Sequence, residues 1–348
     1  MKFKKLISLG LATVMSASML VGCSSSSDDG EAGAADGEKV YKVGMITDVG
    51  GINDESFNQS AWAGLQKADE EFENVEVKYL ESKQDADYVP NIEQLVDEEM
   101  DLIIGVGFKL ADAIEEASAN YEDQQFALID AAYETQPANV NSLLFEDNVS
   151  AYLTGLIAAK MSETGKVGFI GGIAGDVIDR FDYGFRAGVE AVNPDAEVMV
   201  QYANSFSDMG LGKSIAQQMH QNGADIIFSA AGAVGIGAVE AAKENNKKAI
   251  GVDQDQNALA PDHVITSAMK NIDTAVYNLV STLVDGTYES GQVIVNTLAT
   301  GGVGVAPTSD KNVPADVLEF VNAEAEKIKA GEIKVPQNEA EYNELKKK

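Results

Sequence analysis

Apolar residues along this chain fall into two alternating kinds of run. Stretches of six or seven residues rich in Val, Ile and Leu lie at 42–47, 75–80, 101–107, 125–130, 140–146, 166–172, 197–202, 225–230, 248–253, 264–269 and 293–298. They are too short for helices and suit strands buried on both faces. The longer stretches between them repeat their apolar residues at helical spacing. The first helix starts near 54–56, where a side-chain oxygen can accept from the free N–H groups of its first turn. Ala61, Leu65 and Ala68 give it an apolar face. Further helices are predicted over 87–100, 109–120, 147–162, 180–192, 215–222, a stretch ending near 245, 273–284 and 314–329, with 337–348 as a charged tail. Strands alternating with helices predict an α/β fold on parallel sheets.

The pattern repeats at domain scale. Lys42, Val43 and Gly44 recur as Lys166, Val167 and Gly168, 124 positions later. At the same offset Phe57 meets Phe181, Gly64 meets Gly188, and Asp101 meets Asp225. With a one-residue slip Ser82 meets Ser205, Asp85 meets Asp208, and Asp130 meets Asp253. A constant offset over several elements implies two lobes of like topology, each of ordinary domain size. In open α/β sheets ligands sit just past the carboxyl ends of the strands. Asp48, Asn53, Asp54, Phe57 and Asn58 follow the first strand, and Asp130 and Asp253 end matching strands.

The N-terminal stretch reads differently. Lys2, Lys4 and Lys5 precede an apolar or small run over 6–22, an export signal rather than a spanning helix. Residues 23–39, acidic and without apolar periodicity, read as a flexible tether. Charge removes one class of partner. The chain holds 25 basic and 56 acidic residues, and loss of the three signal lysines takes the net charge from −31 to −34. Nucleic acid is excluded, because phosphate contacts need clustered Lys and Arg.

Neither glycine cluster, Gly168 to Gly172 or Gly232 to Gly237, has the dinucleotide spacing. Asp253-x-Asp255-x-Asn257 opens like a calcium loop, but Ala258 and Val264 stand where Gly and Glu are needed. His220 closes a helix, where a positive charge favours the dipole, and His263 sits in a loop. Neither has a nucleophile or metal partner, so no enzyme activity, metal or cofactor is predicted. Paired acids such as Asp48 and Asp130 would also suit a hydrolase, but they bind sugar hydroxyls equally well.

Two stretches carry a resemblance. Leu20-Val21-Gly22-Cys23 resembles the lipobox of bacterial lipoproteins, in which the signal (here 1–22) is cut before the cysteine and the thiol takes a diacylglycerol. Thr47-Asp48-x-Gly50-Gly51-Ile52-Asn53-Asp54-x-Ser56-Phe57-Asn58, Ile129-Asp130, Gly251-Val252-Asp253-x-Asp255-Gln256 and Thr266-Ser267-x-Met269-Lys270 resemble the basic membrane protein family, the nucleoside-binding lipoproteins of ABC importers. The resemblance implies a class I periplasmic-binding-protein fold: two Rossmann-like lobes with parallel sheets joined by a three-strand hinge. The lobes would be 40–148 with 270–290, and 149–269 with 291–345. It also implies site residues. Phe57 and Phe206 would stack on the two faces of a purine, with Phe181 as a second candidate wall. Asn58 and Asp130 would read the base edge, and Asp48 would sit at the ribose end. Asp253 and Lys270 would hold the ribose hydroxyls, a role open also to Asp255. Gly232 would let backbone approach the ligand, and Trp62 would be core. The implied protein is a monomer, lipid-anchored through Cys23 on the extracytoplasmic face of the cell membrane. It would capture purine nucleosides for an ABC permease. The alternatives are a sugar- or autoinducer-binding lipoprotein of the same fold and a nucleoside hydrolase.

Overall fold

The computed structural model describes residues 39–347. The signal, the tether up to residue 38 and Cys23 lie outside the described residues. The strands are β1 Tyr41–Ile46, β2 Val75–Leu80, β3 Leu102–Val106, β4 Gln125–Ile129, β5 Val140–Phe145, β6 Lys166–Gly171, β7 Glu197–Tyr202, β8 Ile226–Ala230, β9 Lys248–Asp253, β10 Val264–Lys270, β11 Val293–Asn296 and β12 Val303–Val305. The helices are α1 Phe57–Glu71, α2 Tyr88–Asp97, α3 Ala111–Asn120, α4 Asp147–Met161, α5 Asp176–Val192, α6 Met209–Gln221, α7 Ala233–Glu244, α8 Ile272–Val284, α9 Ala315–Lys329 and α10 Glu339–Leu345.

These elements build two six-stranded sheets, ordered β11-β5-β4-β3-β1-β2 and β12-β10-β9-β8-β6-β7. The two orders correspond strand for strand, as the repeat predicts. Pairing is parallel throughout the first sheet, and in the second only β10 with β12 is antiparallel. The central strands β3 and β8 are buried at every residue, which is why their sequences are continuous apolar runs rather than alternating ones. Helices cover the sheet faces, and α4 is buried on nearly all sides against α5, β10 and α9.

The chain passes between lobes three times, after β5, after β10, and between β11 and β12. The first crossing lies between β5 and α4, and the second between β10 and α8. The sequence reading gives 291–345 to the second lobe, but Val293–Asn296 pairs with Ser142–Phe145 in the first sheet, so the third crossing lies at 297–302. Backbone pairing decides this, and an apolar run does not announce which sheet edge it will join. Two helix starts also differ. α5 begins at Asp176, and α6 begins at Met209, where the Asp208 side chain accepts from the Leu211 N–H. The tail is partly helical, with Asn338 capping α10. His220 is buried, and its Nδ1 lies 2.9 Å from the Ala224 carbonyl. Burial lowers its pKa, which works against a positive charge at this helix end.

Candidate functional site

A cavity lies between the lobes at the carboxyl ends of their strands. Asp48, Phe57, Asn58, Asp130, Phe206, Gly232, Asp253 and Lys270 all line it. So do Asp54, Phe108 and Phe181, of which the sequence reading singled out only Phe181 as a wall. Phe108 follows β3 directly and edges against Phe206 of the other lobe at 6.4 Å. The same strand-end rule that marked Asp48 and Asp130 applies to Phe108. Trp62 is not in the lining and packs edge-on against Tyr79 at 4.8 Å.

The β1–α1 loop is built around Asp54. Its carboxylate accepts from the N–H groups of Ser56 (3.0 Å), Asn58 (2.8 Å) and Gln59 (3.1 Å), so Asp54 caps α1 in place of the adjacent Ser56. The Asn58 amide donates one hydrogen to Asp54 (3.0 Å) and the other to Asp48 Oδ1 (2.8 Å), and its oxygen accepts from the Asp48 N–H (3.2 Å). Both amide hydrogens are therefore engaged within the protein, and the side chain holds Asp48 in place. Burial pushes the Asp48 carboxyl up to about 6, against the pull of the Asn58 and Gly50 hydrogen bonds.

A second group sits where the lobes meet. Lys270, 1% exposed, donates to both oxygens of Asp130 at 2.6 Å and lies 3.0 Å from Asp147 Oδ1. Arg180 pairs with the other Asp147 oxygen at 2.8 Å. Burial alone would depress the Lys270 pKa. Asp130, Asp147 and Asp253 outweigh it and hold the ammonium charged. The rings of Phe145, Phe57 and Phe181 surround that ammonium at 5.0, 5.1 and 5.7 Å. Asp253 accepts from Ser56 Oγ across the cleft, and burial pushes its carboxyl up to about 7. Within the protein, then, Lys270 bonds Asp130, and Asn58 bonds Asp48 and Asp54. Asp255 is outside the lining. Its carboxylate accepts from Thr308 Oγ1 (2.7 Å) and Thr308 N–H (3.1 Å).

Phe206 stands in the loop between β7 and α6, held by two glycines. Gly172 leaves the space its ring occupies, because a Cβ there would overlap the ring. Gly232 has φ +56°, and a Cβ on it would lie 3.0 Å from the Phe206 carbonyl, which accepts from the Ala233 N–H at 2.9 Å. Backbone does approach closely at Gly232, and what approaches is the Phe206 loop.

Comparison with known proteins gives a consistent answer. The family model of the PnrA-like ABC transporter substrate-binding proteins matches residues 41–339. A CD4+ T-cell-stimulating antigen of Listeria innocua is 41% identical, over 96% of this chain and 99% of its own. Basic membrane protein A of Borreliella afzelii is 40% identical over 88% and 95%. The ABC transporter nucleoside-binding protein BmpA of Lactococcus lactis is 35% identical over 96% and 99%. Among solved structures, a solute-binding protein of an Aeropyrum pernix ABC transporter superposes with a TM-score of 0.80 at 29% identity, over 88% of this chain and 96% of that one. A sugar-transport binding protein of Bordetella parapertussis shares the fold, with a TM-score of 0.62 at 14% identity over 80% and 92%.

Proposed function

The chain belongs to the PnrA-like family of ABC transporter substrate-binding proteins, and we propose that the substrate its cleft takes is a purine nucleoside, captured outside the membrane and passed to a permease. It is a binding component of a transporter rather than an enzyme. The observation that carries the nucleoside reading is the composition of one cavity. Among the described residues, aromatic rings of both lobes line it together with four carboxylates, Asp48, Asp54, Asp130 and Asp253, and a single cation, Lys270. Flat apolar walls suit a base, and stacking contributes about 1–3 kcal/mol per base. An excess of buried acceptors suits a ligand that brings hydroxyl and N–H donors. It repels phosphate, so nucleotides are excluded. Phe57 and Phe206 supply the stacking walls. Asp253 and Lys270 hold the ribose hydroxyls, and Asp48 and Asp130 supply further acceptors. BmpA of Lactococcus lactis is named for nucleoside binding, which supports the same ligand class here.

Calorimetry on guanosine, 2′-deoxyguanosine, guanine, ribose and guanosine monophosphate tests this. Guanosine should bind most tightly. The deoxy analogue leaves a buried polar group unpaired, at about 1–3 kcal/mol, or roughly tenfold in affinity. Asp253→Ala should erase most of the ribose preference, and Phe57→Ala should weaken all purine ligands together. Ribose binding as tightly as guanosine would favour the sugar-binding alternative. Anchoring is proposed through a lipid on Cys23. Among the described residues no helix is long and apolar enough to cross a membrane. Cys23→Ala should move the protein from the membrane fraction to the soluble one.

A further inference from the structure

Three side-chain hydrogen bonds join the lobes along one rim of the cleft, all between residues 55–59 around the start of α1 and residues 253–256 at the end of β9 and just after it. Ser56 Oγ donates to Asp253. Gln254 Nε2 donates to Gln59 Oε1 at 2.9 Å. Gln256 Nε2 donates to the Glu55 carbonyl at 2.6 Å. Gln256 differs from the others in how firmly it is rooted. Its N–H donates to Ser267 Oγ at 3.1 Å, and its Oε1 accepts from the Val252 N–H at 3.0 Å. The side chain is buried and is not part of the cavity lining. Its receiver is equally defined. Glu55 is a non-glycine residue at φ +50°, in the loop organised by Asp54.

We infer that Gln256 is a positioning residue that clamps the two lobes together, setting the affinity for every ligand by a common factor without touching any of them. A bond made only when the lobes meet raises the closed population. Apparent affinity scales with that population whatever the ligand's chemistry. Residues in the cavity behave differently, because each discriminates among ligands. The inference rests on the nucleoside reading only for its choice of probes.

The test uses Gln256→Glu. The variant keeps an oxygen for the Val252 N–H, so the root in the second lobe survives, but it turns an acceptor toward the Glu55 carbonyl. Dissociation of guanosine, inosine and 2′-deoxyguanosine should accelerate by the same factor, about tenfold, with association rates and the melting temperature of the unliganded protein unchanged. Gln59→Leu removes the neighbouring rim bond without disturbing Val252 and should give a smaller uniform acceleration. Gln256→Ala, which removes the donor to the Glu55 carbonyl altogether, carries the test if Gln256→Glu does not fold. Unchanged dissociation rates, or factors that differ between the three ligands, would overturn the inference. Small-angle scattering supplies a readout without nucleoside, in which Gln256→Glu should have the larger radius of gyration. If the unaltered protein binds no nucleoside, the ligand reading fails, and an equal radius of gyration in the variant would then reject the clamp separately.

Discussion

Asp130 and Asp253 both sit in left-handed backbone, at φ +72° and +66°. Such a conformation costs a non-glycine residue roughly 1–3 kcal/mol, and it gathers at ligand sites. The cost recurs at the same place in both repeats, where each strand delivers a carboxylate to the cavity. Asp253 carries a second cost. Burial raises its carboxyl from 3.8 to about 7. Between those values the folded protein holds a proton that the unfolded chain has lost, so stability falls as pH rises through this window and the full penalty applies above it. Asp253→Asn should therefore raise the melting temperature of the unliganded protein at pH 8, by roughly 2–4 kcal/mol of stability, and leave it nearly unchanged at pH 4. Thermal melts across that range check the sign. Nucleoside hydroxyls favour the ionised carboxylate, so guanosine affinity should rise with pH up to about 7 and then level off. That Asp48, Asp130 and Asp253 would line the cavity was legible because strand ends are where such folds bind. Their partnerships were not, because a sequence does not show that Asn58 has both amide hydrogens engaged by Asp48 and Asp54.

At the scale of elements, the loop from β7 to α6 governs one wall of the cavity. Its polar character was readable, and its length was not. Met209-Gly210-Leu211-Gly212 looks like a continuation of the loop, yet Asp208 caps a helix that begins there. Close packing explains the glycine at 212, since a Cβ on it would overlap the Val234 carbonyl of α7. Gly172→Ala should displace the Phe206 ring, which can swing away, so the cost should fall on affinity rather than on folding. We expect purine affinity to drop about tenfold while the melting temperature moves little. Asp54→Ala should do the reverse and more. It strips α1 of its cap, at about 1–2 kcal/mol, and frees Asn58, so stability and affinity should fall together. Denaturant melts beside calorimetry separate the two patterns.

For the whole molecule, the two-lobe fold was legible from the 124-residue repeat and from alternating strand and helix runs. Where the third crossing lies was not, because β11 joins the first sheet by backbone pairing that an apolar run does not announce. Scattering should show the radius of gyration falling when guanosine is added. An unchanged radius would count against closure.

The three crossings are tied to one another. The Glu146 N–H donates to the Asn296 carbonyl at 3.1 Å, and the Leu298 N–H donates to the Glu146 carboxylate at 2.9 Å. The Asn271 N–H donates to the Gly302 carbonyl at 2.9 Å, and its side chain to Gly301 at 2.6 Å. Three linkers bonded side by side make a ribbon, and a ribbon bends across its face far more easily than it twists or shears. Two bodies free in solution must find each other through three translations and three rotations. Joined in this way, these two should keep one soft angle between them. The entropy of docking is therefore lost once, when the chain folds, and not again at each capture. Closing returns Gln256 to the same carbonyl every time, so the cycle of loading and release can run on the small free-energy differences that a few hydrogen bonds supply.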